Sequence, residues 1–152
     1  MALLDPEEIH GESFRLVLAE KRPADPSKGF VPMYIWDIKP LNGDEMMGEL
    51  KLKVGDLPEY TGHIGYRVFP DFRGKRVAAQ ACRMIIPLAR QFGINPLRIT
   101  CREENIASRR SAERAGATFA GMVEMPDGYE DFIGPVKTKC NYLLYTDEVK
   151  DN

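Results

Sequence analysis

Apolar positions recur along this chain with periods that switch between two and about 3.6 residues, the spacings of strands and helices. Phe14–Leu18 alternates as a strand. Ala19–Gly29 carries Pro23 and Pro26 among charged residues and predicts a loop. Val31–Ile38 predicts a strand with Tyr34, Trp36 and Ile38 on one face. Asn42-Gly43, inside Pro40–Asp44, is a hairpin turn signal, and Met46, Gly48, Leu50, Leu52 and Val54 alternate along the return strand. Gly55–Gly62 reads as a loop. His63–Phe69 reads as the next strand, with Ile64, Tyr66 and Val68 together on one face.

The period then lengthens. Across Gly74–Phe92, Val77, Ala81, Ile85, Leu88 and Phe92 form one stripe of a predicted helix, flanked by Ala78, Cys82 and Ala89. Arg76, Gln80, Arg83 and Arg90 face away, Pro87 predicts a kink or a loosened turn, and Gly93 is the stop signal. Leu97–Cys101 alternates as a short strand. Asn105 is a good N-cap for a second helix that Gly116 closes. Ala117–Met125 and Cys140–Tyr145 predict two last strands, separated by the Pro126-Asp127-Gly128 turn and a loop to Lys139. Antiparallel strands followed by strand, helix, strand, helix, strand, strand define an α/β domain. Its sheet is mixed and mostly antiparallel, with about six to seven strands and helices on its faces.

Composition narrows the class. The 152 residues fit one domain, 1–152, with a charged tail at 147–152 that is expected to fray. A net charge of −2 argues against nucleic acid or a membrane surface as partner. No apolar run reaches membrane-spanning length, and the acidic start, Met1 to Glu8, lacks a signal-peptide core. Three cysteines without paired spacing do not make a disulfide framework and fit a reduced, cytoplasmic setting. No metal site is expected.

The chemistry centres on Phe72-Arg73-Gly74-Lys75-Arg76-Val77-Ala78-Ala79. A strand, a basic glycine-containing turn and a helix start form a seat for phosphates, because the first helical N–H groups have no partner within the helix and the helix dipole is positive there. The predicted ligand is a phosphorylated cofactor. The chain lacks both Gly-x-x-x-x-Gly-Lys-Ser/Thr and Gly-x-Gly-x-x-Gly, which weakens the reading of a nucleotide-binding domain using the same turn.

Two patterns on these elements resemble the GNAT superfamily of acyl-CoA-dependent N-acyltransferases. The element order is similar from about Phe14 to Tyr145. The family's pyrophosphate turn, Gln/Arg-x-x-Gly-x-Gly/Ala, is matched by Arg73 to Ala78, with Arg76 in place of the middle glycine. The second pattern, Asn-x-x-Ser…Glu-x-x-Gly, falls on Asn105, Ser108, Glu113 and Gly116, and its wording is similar to the branch that acetylates protein N-termini, ribosomal-protein acetyltransferases included. The resemblance implies acetyl-CoA as cosubstrate, seated by Val68, Phe69, Arg73, Gly74, Lys75, Arg76, Val77, Ala78, Ala79 and Asn105. It implies direct acetylation of an amine, a protein N-terminus or a small molecule. Many members carry a tyrosine seven residues after the asparagine as the acid for the leaving thiolate; here that position is Ala112. The helices that usually shape the acceptor pocket are reduced or absent, since only Ala19–Phe30 is available. The Gly55–Gly62 and Pro126–Lys137 loops or a second subunit, as a homodimer, must then build that side.

The catalytic candidates each carry a plainer reading. Ser108 is a donor to the thiolate or a hydroxyl bonded to nearby backbone. Asn105 is a cofactor or water contact, an N-cap, or both. His63 is a general base or a satisfied histidine. Glu103, with Glu104 beside it, is a base or a favourable charge at a helix start. Tyr66 and Tyr142 read as sheet packing and Cys101 as a core thiol. The competing class is a non-catalytic acyl-CoA sensor or partner-binding module, which the missing tyrosine and acceptor helices favour.

Overall fold

Among the described residues, eight strands form two antiparallel sheets. β1 (Glu8–His10), β2 (Phe14–Arg22), β3 (Met33–Pro40), β4 (Gly48–Lys53) and β5 (Ile64–Val68) pair in chain order, while β6 (Leu97–Cys101) and β7 (Thr118–Glu124) flank β8 (Thr138–Leu144). The helices are α1 (Val77–Gln91) and α2 (Ile106–Ala115). The computed structural model describes residues 6–131 and 133–147, so the tail expected to fray lies outside the described residues beyond Asp147. Among the described residues no helix is long and apolar enough to cross a membrane.

Register explains the core. Leu18, Trp36, Leu50 and Tyr66 stand opposite one another across β2 to β5, so their side chains share a face. The stripe of α1 lies on that face: Ala81, Cys82, Ile85 and Leu88 are buried in one cluster with Trp36, Ile38, Leu50 and Leu52. α2 packs against α1 and the three-stranded sheet. The opposite face of the first sheet, with Lys51, Lys53, Gly65 and Arg67, carries neither helix.

The fold class matches expectation, with four local differences. β1 is added because Glu8–His10 pairs with Arg15–Val17, a three-residue strand too short for a periodic signal. β2 runs on through Ala19–Arg22 instead of yielding to loop, and a bulge between Leu18 and Glu20 absorbs the change of register. α1 begins at Val77 instead of Gly74, because Gly74 and Arg76 take left-handed φ values of 81° and 58°. The strands divide into two sheets, since β5 and β6 share no ladder. Pro87 is carried inside α1, and Gly93 and Gly116 end the helices in left-handed conformation.

Candidate active site

The two sheets meet at one seam and part from there. His63 N–H donates to Arg98 O at 2.8 Å, and Arg98 N–H donates to His63 Nδ1 at 2.9 Å. Beyond this link β5 and β6 have no pairing, so a cleft opens between them. At either end of β5 the bonds to the β4 segment fall on odd-numbered residues: Phe69 N–H donates to Met47 O at 2.9 Å and Lys53 N–H to His63 O at 2.8 Å. The N–H groups of Tyr66 and Val68 therefore point from the other edge, toward the cleft. Of the two donors expected at the strand end, Phe69 is engaged and Val68 faces the opening. Gly48 lets β4 and β5 close here, since an added Cβ would press into Arg67 O.

The turn after β5 presents a row of amides. The first main-chain bond into α1 runs from Gln80 N–H to Arg76 O at 3.1 Å. No described residue accepts from the N–H groups of Gly74 through Ala79. The left-handed residues Gly74 and Arg76 fold this run into a concave nest at the positive end of the α1 dipole. An added Cβ at Gly74 would meet nothing within 4 Å, so the nest is open. Arg73 donates its Nε–H to Val68 O at 2.9 Å and pins the turn to the strand end. Lys75 and Arg76 are exposed, and Arg76 makes no capping bond. The donor set, amides with three cations, fits a pyrophosphate.

α2 places its first turn on the same cleft. Asn105 is the N-cap, its Oδ1 accepting from Ser108 N–H at 3.1 Å. Tyr66 Oη lies 2.9 Å from Ser108 O and 3.0 Å from Ser108 Oγ. Burial pushes the Tyr66 phenol well above its usual range, so it stays protonated. The strand position of Tyr66 predicts packing; its hydroxyl also meets Ser108, a contact that the alternation of β5 does not signal. Ala112 is fully buried, with no room for a tyrosine.

The remaining candidates fall apart from this group. His63 is 8% exposed; burial, with help from Arg98, lowers its pKa from 6.5 to about 4. Its Nδ1 accepts a bond, so the neutral ring carries its proton on Nε2 and acts as a donor, not a base. Glu103 and Glu104 are exposed; Arg109 bonds Glu103 only through its backbone carbonyl, at 3.3 Å. Cys101 is buried, and burial raises its pKa, which disfavours the nucleophilic thiolate. Tyr142 is buried and its hydroxyl accepts from Arg109 Nε at 3.1 Å.

Two cavities lie on the helix-free side of the seam, of about 350 Å³ and about 410 Å³. The Leu57–Gly62 loop walls both, and the smaller is also walled by Tyr129, whose ring meets Tyr60 edge-on at 6.2 Å. Arginines of the β6 segment anchor both loops. Arg98 donates to Pro58 O and Thr61 O, each at 2.9 Å. Arg102 grips Asp131 with two bonds of 2.8 and 2.6 Å, and holds its carboxyl well below the usual carboxylate range.

A split sheet with an amide nest at the cleft defines a domain that seats a phosphorylated ligand between parted strands, and comparison gives the family. The model of the acetyltransferase (GNAT) domain matches residues 7–118, and the chain belongs to that family. No curated protein matches the chain. Among solved structures, the ribosomal-protein α-N-acetyltransferase RimL is 21% identical, with a TM-score of 0.66 over 92% of this chain and 98% of its own. A probable GNAT-family acetyltransferase from Chromobacterium violaceum is 14% identical, with a TM-score of 0.69 over 97% and 90%. The microcin self-immunity acetyltransferase MccE, solved with acetyl-CoA and AMP, is 24% identical, with a TM-score of 0.60 over 74% of this chain. The chain spans 61% of the length of that protein.

Proposed function

We propose that this chain, as a single domain, transfers an acetyl group from acetyl-CoA directly to a primary amine. The observation that carries the reading is the open row of amides from Gly74 to Ala79, set where β5 and β6 part. The MccE structure holds acetyl-CoA and a RimL structure holds CoA, which supports the same cosubstrate here. Acetyl-CoA supplies an activated thioester; the C–N bond forms as the C–S bond breaks, and a proton of the amine ends on sulfur.

The chain's residues then have separate tasks. The Gly74–Ala79 amides with Lys75 and Arg76 bind pyrophosphate, and Arg73 braces their turn. Val68 N–H donates to the carbonyl oxygen as it gains charge, the task of an oxyanion hole. Ser108 Oγ–H donates to the departing sulfur, with Tyr66 Oη behind it to hold the hydroxyl in place. Neither hydroxyl is acidic enough to hand a thiolate its proton outright, so the proton comes from the amine, and the pair stabilises charge. Asn105 fixes the helix turn that carries Ser108. A buried, neutral Cys101 leaves no thiolate to take the acetyl group, which supports direct transfer.

A thermal-shift panel tests the cosubstrate. Acetyl-CoA and CoA at one hundred times Kd stabilise the native state by about 2.7 kcal/mol if they bind only that state. A rise in Tm with both, and none with ATP or NAD, is expected. A shift with ATP or NAD and none with either CoA species contradicts the proposal.

A further inference from the structure

Lys51 and Lys53 stand in the wall of the smaller cavity, and no acidic residue stands there with them. Two apart on β4, they project to the same helix-free face. Neither has a carboxylate within ion-pair distance among the described residues; Glu20, which acts on Lys51 electrostatically, is held by Arg22 at 2.8 Å. We propose that the acceptor is a small amine that also bears an anion, a carboxylate or a phosphate, and that Lys53, seconded by Lys51, receives that anion. This rests on the acetyl-transfer reading above.

Lys53 is half-buried, and its pKa is lowered first by that burial and then by Lys51. Both effects penalise an unneutralised cation, and a bound anion reverses both. Space is left for the anion: Gly65 stands opposite Lys51, and an added Cβ there would meet nothing within 4 Å. A volume of about 350 Å³ suits a small molecule. The adjoining cavity, of about 410 Å³ and lined by Phe30, Val31 and Leu57, takes an apolar portion.

Calorimetry on twin ligands tests this without needing turnover. Phenylalanine is compared with phenylalaninamide, and O-phosphoethanolamine with ethanolamine, with and without saturating CoA. In at least one pair the anionic member is expected to bind ten times or more tighter than its neutral twin. The larger ratio identifies the anion. Lys53→Met should abolish the difference and Lys53→Arg should restore it, with the rise in Tm on adding acetyl-CoA confirming that each variant is folded. Equal affinities within both pairs, a preference that survives Lys53→Met, or tighter binding of a peptide with an acidic N-terminus than of either small anion overturns the proposal. Thiol release is followed in parallel mixtures in which acetyl-CoA replaces CoA. Anion preference upholds the anion site whether or not thiol is released, while the acetyl-CoA reading falls on the thermal-shift panel, so the two claims fail separately.

Discussion

In the proposed reaction Ser108 and Tyr66 take the place of the tyrosine that position 112 lacks. The phenol reaches the cleft from β5 instead of from α2, and it bonds Ser108 at 2.9 and 3.0 Å. Ser108→Ala is expected to lower kcat by roughly 10- to 100-fold, the effect of losing one hydrogen bond to a developing charge. Acetyl-CoA affinity should hold, because the hydroxyl acts on charge formed in the reaction. Tyr66→Phe should cost less than Ser108→Ala, and the double variant should be no worse than the serine variant, since the two act as one unit. Steady-state kinetics with a confirmed acceptor decides this; undiminished kcat in Ser108→Ala removes both hydroxyls from the reaction. Arg76 makes a second residue-scale prediction. A left-handed φ of 58° strains a side-chain-bearing residue, and glycine removes the strain. Arg76→Gly should therefore raise the Tm of the free protein while weakening CoA by roughly 1–3 kcal/mol, the scale of a lost charged hydrogen bond to phosphate. Stability and affinity moving in the same direction contradicts that role.

At the scale of elements, β6 and the residue just past it organise the loops beside the two cavities. Arg98 ties the Leu57–Gly62 loop, and Arg102 ties the loop that carries Tyr129 through Asp131. Arg102→Met should speed amide hydrogen exchange at Tyr129, Ile133 and Val136 while leaving β6 and β8 protected; unchanged exchange there refutes the tie. Asp131 titrates lower in the folded than in the unfolded chain, so its contribution is complete above its ordinary pKa of 3.8 and is lost as pH falls below it. Much of this architecture was legible. Alternation in β3 to β5, the stripe of α1 and the caps Asn105 and Gly116 are local patterns that burial and backbone geometry enforce. The meeting of Tyr66 with Ser108 was not legible, because it joins residues 42 apart through the packing of α2 across a strand end. Nor was the left-handed Arg76, since that conformation is signalled by glycine or asparagine and here tertiary structure imposes it on arginine. The short β1 and the run-on of β2 depend on pairing with each other's neighbours, which no single segment announces.

For the whole molecule, the seam joining the two sheets at His63 and Arg98 sets the acid response. The folded ring titrates at about 4 and an unfolded histidine near 6.5. Between those values the unfolded chain binds a proton that the folded chain does not, so stability falls as pH drops from about 6.5 to about 4. Replacing His63 by Asn keeps an acceptor near Arg98 N–H and removes the titration. Denaturant midpoints measured across that range should flatten in His63→Asn, and an unaltered slope assigns the acid loss to other groups.

The central claim is direct acetyl transfer from a cosubstrate seated between the parted strands. It is tested most directly by mixing enzyme with acetyl-CoA alone, following thiol, and adding the amine last. The account predicts no burst of thiol before the amine. Release after it should match the N-acetylated product mole for mole. A burst equal to the enzyme concentration before any amine is added would contradict direct transfer and point to an acyl-enzyme.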